Sequence, residues 1–273
     1  MPEADHKEQT VTTTQSTLTH RTHRPRRAAA GALALIVASF GVTACGDDSA
    51  NTTGTVATAT TTPTASPVTT VADPGVASVV DDGTTAVDNS VLATQLATMP
   101  TSDLNDAERD ALLFMREEEK LAYDVYMVLA DTWGTPVFSN IASAELTHTD
   151  AVKVLLDRYG IADPTTTGEP GVFTNTELQN LYDQLVAQGT RSLVDALTVG
   201  ATIEDVDIAD LRQRATDNSD IQLVYDNLEK GSRNHLRAFV RQLGNNGATY
   251  TPTYISLADF DAIVSSPTER GHG

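Results

Sequence analysis

"ASAELTHTDAV", residues 142–152, is the stretch on which the reading of this chain turns. Apolar residues recur around it at helical spacing, yet Glu145 and His148 stand where an ordinary packing helix prefers leucine. In a helix, positions i and i+3 share one face, with Cβ atoms about 5–6 Å apart, so both side chains can reach a single ion. Taken alone the spacing is common, and a solvated Glu–His pair is its ordinary reading. The neighbouring helices decide between the two.

Apolar spacing of three and four continues from about Pro100 to Ser266, the length of a single domain. Asn105-x-x-Glu108 has the form of a capping box and opens a first helix that runs to about Trp133, where Gly134 stops it. Thr135-Pro136 opens the second, which Gly160 ends. Ser192-x-x-Asp195 caps a third helix reaching about Ala215, and the fourth spans roughly Asp220 to Leu243, ending at Gly244. A short helix at about 177–188 sits in a long connection between the second and third, and a Ser256-capped helix follows the fourth. The expected fold is all-α: a four-helix bundle with a long crossover between helices 2 and 3, without strand pairs.

Each long helix interrupts its apolar stripe with a residue able to bind metal. On the first, Leu112, Met115, Glu119, Ala122, Tyr126 and Leu129 share a face, and Glu118 is nearly as well placed as Glu119. The second gives Ile141, Glu145, His148, Val152 and Leu155. On the third, Leu197, Ala201, Glu204, Ile208 and Leu211 align, with Asp207 one turn from Glu204; on the fourth, Val224, Leu228, His235 and Phe239. Buried charges are costly unless paired or bound to a cation. Of six histidines, His6, His20 and His23 precede the folded part and His272 is at the tail, so His148 and His235 alone lie within it, both on these seams. A lone core histidine is ordinarily a packing residue; two of them with three or more inward carboxylates point to a metal site.

A resemblance now becomes visible. Glu119-Lys-Leu-Ala-Tyr-Asp-Val-Tyr126 resembles the E-x-x-A-x-x-x-Y of the first helix in ferritins and rubrerythrins, and Glu145-x-x-His148 resembles their second-helix ligand pair. Glu204-x-x-Asp207 is similar to the third-helix carboxylates of rubrerythrins, and His235 to the fourth-helix histidine. With the phrases EEEKLAYDVY and GSRNHLRAF, roughly residues 103–263 look like a bacterial ferritin-like family of unknown function. The resemblance implies a metal set of Glu119, Glu145, His148, Glu204, Asp207 and His235 around di-iron or manganese. One position departs from it: where many such bundles carry Glu-x-x-His on the fourth helix, this chain has Ser232-x-x-His235. Asp207 is the better substitute for the missing carboxylate, since Glu229 lies about 120° round the helix from His235.

The first 44 residues read as an address. Arg21, Arg24, Arg26 and Arg27 precede the apolar run AAAGALALIVASFGVTA, residues 28–44, short for a membrane span of about 20 residues but suited to a signal sequence. Val42-Thr43-Ala44-Cys45 resembles a bacterial lipobox, and Cys45 is the single cysteine. No disulfide within the chain is then possible, leaving core and metal to hold the fold. Residues 45–99, rich in Thr and Ala and without apolar periodicity, read as a disordered tether, and 267–273 as a tail. The expected location is exported, lipid-anchored to the outer face of the bacterial cytoplasmic membrane.

Composition narrows the partners. With 18 Lys+Arg against 37 Asp+Glu and a formal charge of −19, the chain repels nucleic acid and attracts cations. The expected partners are therefore metal ions and, through Cys45, the membrane, with a homodimer left open. The function expected from the resemblance is iron oxidation or redox chemistry on an oxygen species. The rival is a non-catalytic helical envelope module whose metal site is structural or lost; Ser232 and the lack of a cysteine-based electron donor favour it.

Overall fold

The computed structural model describes residues 76–79, 84–165 and 167–270, and these are mostly helical. Two short strands, β1 (Ala77–Val79) and β2 (Thr85–Val87), precede seven helices: α1 (Asn89–Thr98), α2 (Asp106–Trp133), α3 (Pro136–Arg158), α4 (Thr176–Gly189), α5 (Leu193–Gln213), α6 (Ser219–Asn245) and α7 (Leu257–Ser265). The leader, Cys45 and the tether as far as residue 75 lie outside the described residues. Among those described, no helix is long and apolar enough to cross a membrane.

Local chemistry sets most boundaries. Asn105 and Glu108 close a reciprocal capping box at α2, and Gly134 takes the left-handed conformation that ends it (φ 61°). Pro136 sits in the first turn of α3, where its missing N–H costs nothing, and Ser192 and Ser256 cap α5 and α7. Gly244, expected to stop the fourth helix, lies inside it; α6 runs to Asn245 and the left-handed residue is Gly247 (φ 70°).

The long helices pack in pairs, α2 against α3 and α5 against α6, with α3 also touching α6 and α2 touching α5. Helix α4 lies against α2 and α5, and α7 rests on α6. Tyr126, Phe138 and Phe239 stack in tilted contacts in one apolar layer. A second layer gathers Leu112, Met115, Val152, Leu155, Val224 and Leu228. The four interrupted stripes meet between these layers.

Three expectations need correction. The tether does not extend to residue 99, and a strand pair exists. β1 and β2 pair antiparallel, Ser78 opposite Ala86, while β2 packs on α3 and α6 and α1 packs on α3. Val76, Val87, Leu92 and Leu96 belong to the second apolar layer. A few short apolar residues carry no periodic signal, but they close the open end of a core that the long helices already supply. The tail also departs from expectation: Glu269 docks on Arg233 and Arg237 at 2.6 and 2.8 Å.

Candidate metal centre

Glu119 on α2, Glu145 and His148 on α3, Glu204 and Asp207 on α5 and His235 on α6 are all buried, none more than 8% exposed. Glu145 is the hub. Its Oε2 lies 2.9 Å from His148 Nδ1 and its Oε1 2.8 Å from His235 Nδ1. Glu119 Oε2 is 3.6 Å from His148 Nδ1, and Glu204 Oε2 is 3.5 Å from His235 Nδ1. One ligand atom from each of Glu145, His148 and His235 lies within 4.8 Å of the others, so one ion can reach all three.

The far sides of both imidazoles meet the backbone of one residue. His148 Nε2–H donates to the Thr85 carbonyl (2.9 Å), whereas the Thr85 N–H donates to His235 Nε2 (3.2 Å). These bonds assign protons. His148 keeps a proton on Nε2, so its Nδ1 can donate a second proton to Glu145 or, once that proton is lost, offer its lone pair to an ion. His235 must keep its Nε2 lone pair for the amide, which puts the proton of the neutral ring on Nδ1. That nitrogen is close to Glu145 but out of line for a hydrogen bond, and it has no hydrogen-bond partner.

Electrostatics follow from burial against pairing. Burial raises Glu119 to about 7, with His148 pulling the other way. Burial likewise raises Glu204, and it raises Asp207 well above the usual range, helped by the charge of Glu119. Glu145 is the exception: burial would raise it, but His148 and His235 together hold it low. Burial disfavours a charged His148, yet Glu145, with Glu119 behind it, holds it well above its ordinary range. His235 is held at about 9 by Glu145 and Glu204 against its burial. These carboxylates favour a ring protonated at both nitrogens, whereas the Thr85 N–H aimed at Nε2 favours the neutral ring with its proton on Nδ1.

Tyr126, fully buried and packed against Phe239, donates to Glu204 Oε1 at 2.5 Å and orients that carboxylate. Ser232 Oγ lies within hydrogen-bond reach of Asp207 Oδ2 and of the Leu228 carbonyl, sharing its one proton between them, so the α6 position without a carboxylate instead anchors Asp207. Glu229 is turned outward, paired with Arg212 and Arg233. Glu118 does not substitute for Glu119; its carboxyl lies near Asp210.

Two residues escaped the sequence reading. A Cβ on Gly231 would sit 2.4 Å from His148 Cε1, so the missing side chain is what lets the imidazole lie between α3 and α6. Gly in a helix interior costs about 1 kcal/mol relative to alanine, and that cost was the available signal. Thr85 acts through its backbone and left none.

The donor set suits a cation. Glu119 Oε1, Asp207 Oδ1 and His235 Nδ1 are buried without hydrogen-bond partners, where groups of this kind are normally satisfied. Carboxylates with two imidazoles match the preferences of iron or manganese.

Residues 108–267 match the family described as "Uncharacterized protein domain (DUF2202)". The chain is similar to the uncharacterized protein MJ0754 of Methanocaldococcus jannaschii, with 53% identity over 178 residues, covering 64% of this chain and 96% of the relative. The crystal structure of that hypothetical protein aligns with a TM-score of 0.62, covering 63% of this chain and 99% of its own.

Proposed function

This chain belongs to the DUF2202 family of uncharacterized domains, and from its site we propose a ferritin-like bundle holding a carboxylate/histidine metal centre, with iron or manganese as the resident metal. The observation that carries this reading is the convergence of two imidazole Nδ1 atoms on Glu145, with Glu119 and Glu204 within 3.6 Å of them. His148, Glu145 and Glu119 would hold the metal from α2 and α3, with Glu204, Asp207 and His235 on the facing helices. Such a metal, when bound, supplies one-electron chemistry toward iron or an oxygen species. The protein's part is to keep these donors dry and fixed in place. Tyr126 and Ser232 orient Glu204 and Asp207, and Thr85 orients the rings.

We further propose that the domain is exported and anchored through lipid on Cys45. Cys45→Ala should release it from membranes; unchanged retention would sink that part. For the centre, the test is elemental analysis, with stoichiometry, of protein purified from metal-replete cells. Iron or manganese bound in wild type and lost in His148→Ala supports the reading, and metal-free wild type that no divalent ion stabilises would refute it. A non-catalytic module with a structural ion is the second reading. The Thr85 amide favours it, because a His235 with its proton on Nδ1 gives the metal one fewer open ligand.

A further inference from the structure

The backs of the two imidazoles are closed by chain that lies outside the four long helices. Thr85 of β2, fully buried, bonds to both rings, and β2 is fastened on each side to the residue that precedes a histidine. On α3, Thr147 Oγ1 accepts from the Val87 N–H at 2.8 Å, and the Thr147 carbonyl accepts from Asn89 Nδ2 at 3.0 Å. On α6, Asn234 Nδ2 donates to Thr85 Oγ1 at 2.6 Å. Asn234, also buried, seats the segment that follows α7. Its Nδ2 donates to the Glu269 carbonyl (3.1 Å), and its Oδ1 accepts from the Glu269 N–H (2.9 Å) and from Arg237 Nη1 (2.7 Å). Both donor and both acceptor sites of that amide are engaged, so a shift of Glu269 disturbs the group that holds Thr85.

The two fastenings differ in kind. On α3 the contacts are neutral. On α6 they run outward through charge: the Glu269 carboxylate, its side chain 30% exposed, pairs with Arg233 at 2.6 Å and with Arg237 at 2.8 Å. Arg237 also donates to the Ile263 carbonyl and to Ser266 Oγ, which ties it to the end of α7. The donors of the metal centre are buried, so no ion reaches them unless some element moves. Two apolar layers hold the long helices together. A hairpin of three residues per strand is marginal by itself, so β2 keeps its place by these few bonds and is the element that opens at least cost.

We propose that Asn234 couples the segment after α7 to β2 as one latch over the metal centre. With Glu269 seated on Arg233 and Arg237, Thr85 is held against both imidazoles; release of Glu269 frees β2 to move aside and let an ion in or out. Asn234 is a positioning residue, acting on the rings through Thr85. The gating step rests on the metal-centre reading, whereas the coupling of Glu269 to Thr85 is measurable without metal.

The experiment has two arms, both on the full chain. In metal-free protein, NMR follows hydrogen exchange at the Thr85 amide in wild type and in Glu269→Gln. The variant should exchange faster by about fivefold or more, and added salt should speed wild type in the same sense, because the ion pairs are partly exposed. In the second arm, Mn(II) uptake is timed by the electron paramagnetic resonance of the free ion, and release by transfer to a fluorescent chelator. Glu269→Gln and Thr85→Val, which removes the hydroxyl held by Asn234, should each speed uptake and release by similar factors and leave Kd nearly unchanged. A lost ligand would instead speed release alone. Glu269→Gln alters a partly exposed side chain, and an unchanged helical spectrum would show that it folds. Wild-type amide exchange in Glu269→Gln would overturn the coupling, and faster exchange with wild-type Mn(II) rates would overturn the gate. A wild type that takes up no Mn(II) would refute the centre and the gate together, and the amide arm would still decide whether Glu269 holds Thr85.

Discussion

The rings of His148 and His235 lie stacked, 5.4 Å between centroids and 19° from parallel, and Thr85 bonds to them in opposite senses. The two histidines that look equivalent in sequence are therefore unequal as ligands. His148, charged in the metal-free protein, can exchange its Nδ1 proton for a metal and keep its bond to the Thr85 carbonyl. His235 must lose either its Nδ1 proton without replacement at Nε2 or its bond from the Thr85 amide. Thermal melts of chelated protein with added Mn(II) should show the metal-dependent rise abolished in His148→Ala and only reduced in His235→Ala. Equal loss in both would mean that Thr85 does not set the protons.

The β1–β2 hairpin and α1 should matter to stability as well as to the centre. A chain starting at Thr101 loses the burial of Leu92 and Leu96, which are 0% and 1% exposed, together with both Thr85 bonds. At about 1.5–3 kcal/mol for each buried leucine, the loss comes to about 3–6 kcal/mol before any effect on the rings. Denaturant unfolding of the two lengths measures this. Identical midpoints and metal affinities would show that the segment merely lies on the surface of the fold.

How much of this was legible in sequence depends on whether a residue acts through its side chain in a periodic element. Glu119, Glu145, His148, Glu204 and His235 were visible because a polar side chain breaking an apolar helical stripe has to be explained energetically. The Asn105, Pro136 and Ser192 boundaries were visible because capping has fixed residue requirements. The run Glu117-Glu118-Glu119 was not resolved, since consecutive helical positions point 100° apart and each finds different surroundings: a loop, a cavity and the centre. Thr85 and the hairpin were invisible because six strand residues in a Thr- and Ala-rich stretch carry no period, and their contribution to the site is made by a peptide group.

Gly231 offers a cleaner perturbation of the ring than a histidine replacement. In Gly231→Ala the new methyl would stand 2.4 Å from His148 Cε1 and 2.7 Å from Nε2, too close for either atom to stay in place. Alanine favours helix, so α6 itself should gain slightly, while overpacking costs about 1–3 kcal/mol. The expected outcome is a folded helical protein with weakened metal binding and altered His148 ring resonances in NMR. Wild-type metal affinity in this variant would show that α6 can yield without moving the imidazole.

Proton linkage gives the last test. Glu119, raised to about 7 from an ordinary 4.5, holds its proton more tightly in the native state than in the unfolded chain, and Glu204 and Asp207 shift in the same direction. The unfolded state then binds fewer protons than the native state between these values, so stability falls as pH rises from about 4.5 through 7. His148, also raised, adds stability that is complete below its unfolded value of 6.5 and is lost at higher pH. Glu145, held low, works in the opposite sense and loses its contribution as acid protonates it. Metal-free protein should therefore be more stable near pH 5 than near pH 8, with Glu119→Gln flattening the decline. Metal reverses the preference, because ligating carboxylates must be ionised and binding releases their protons. The rise in melting temperature on adding Mn(II) should be larger at pH 8 than at pH 5.5, with protons released into an unbuffered solution at the lower pH. A rise independent of pH, with no proton release, would place the ion on the acidic surface and leave the buried carboxylates uninvolved.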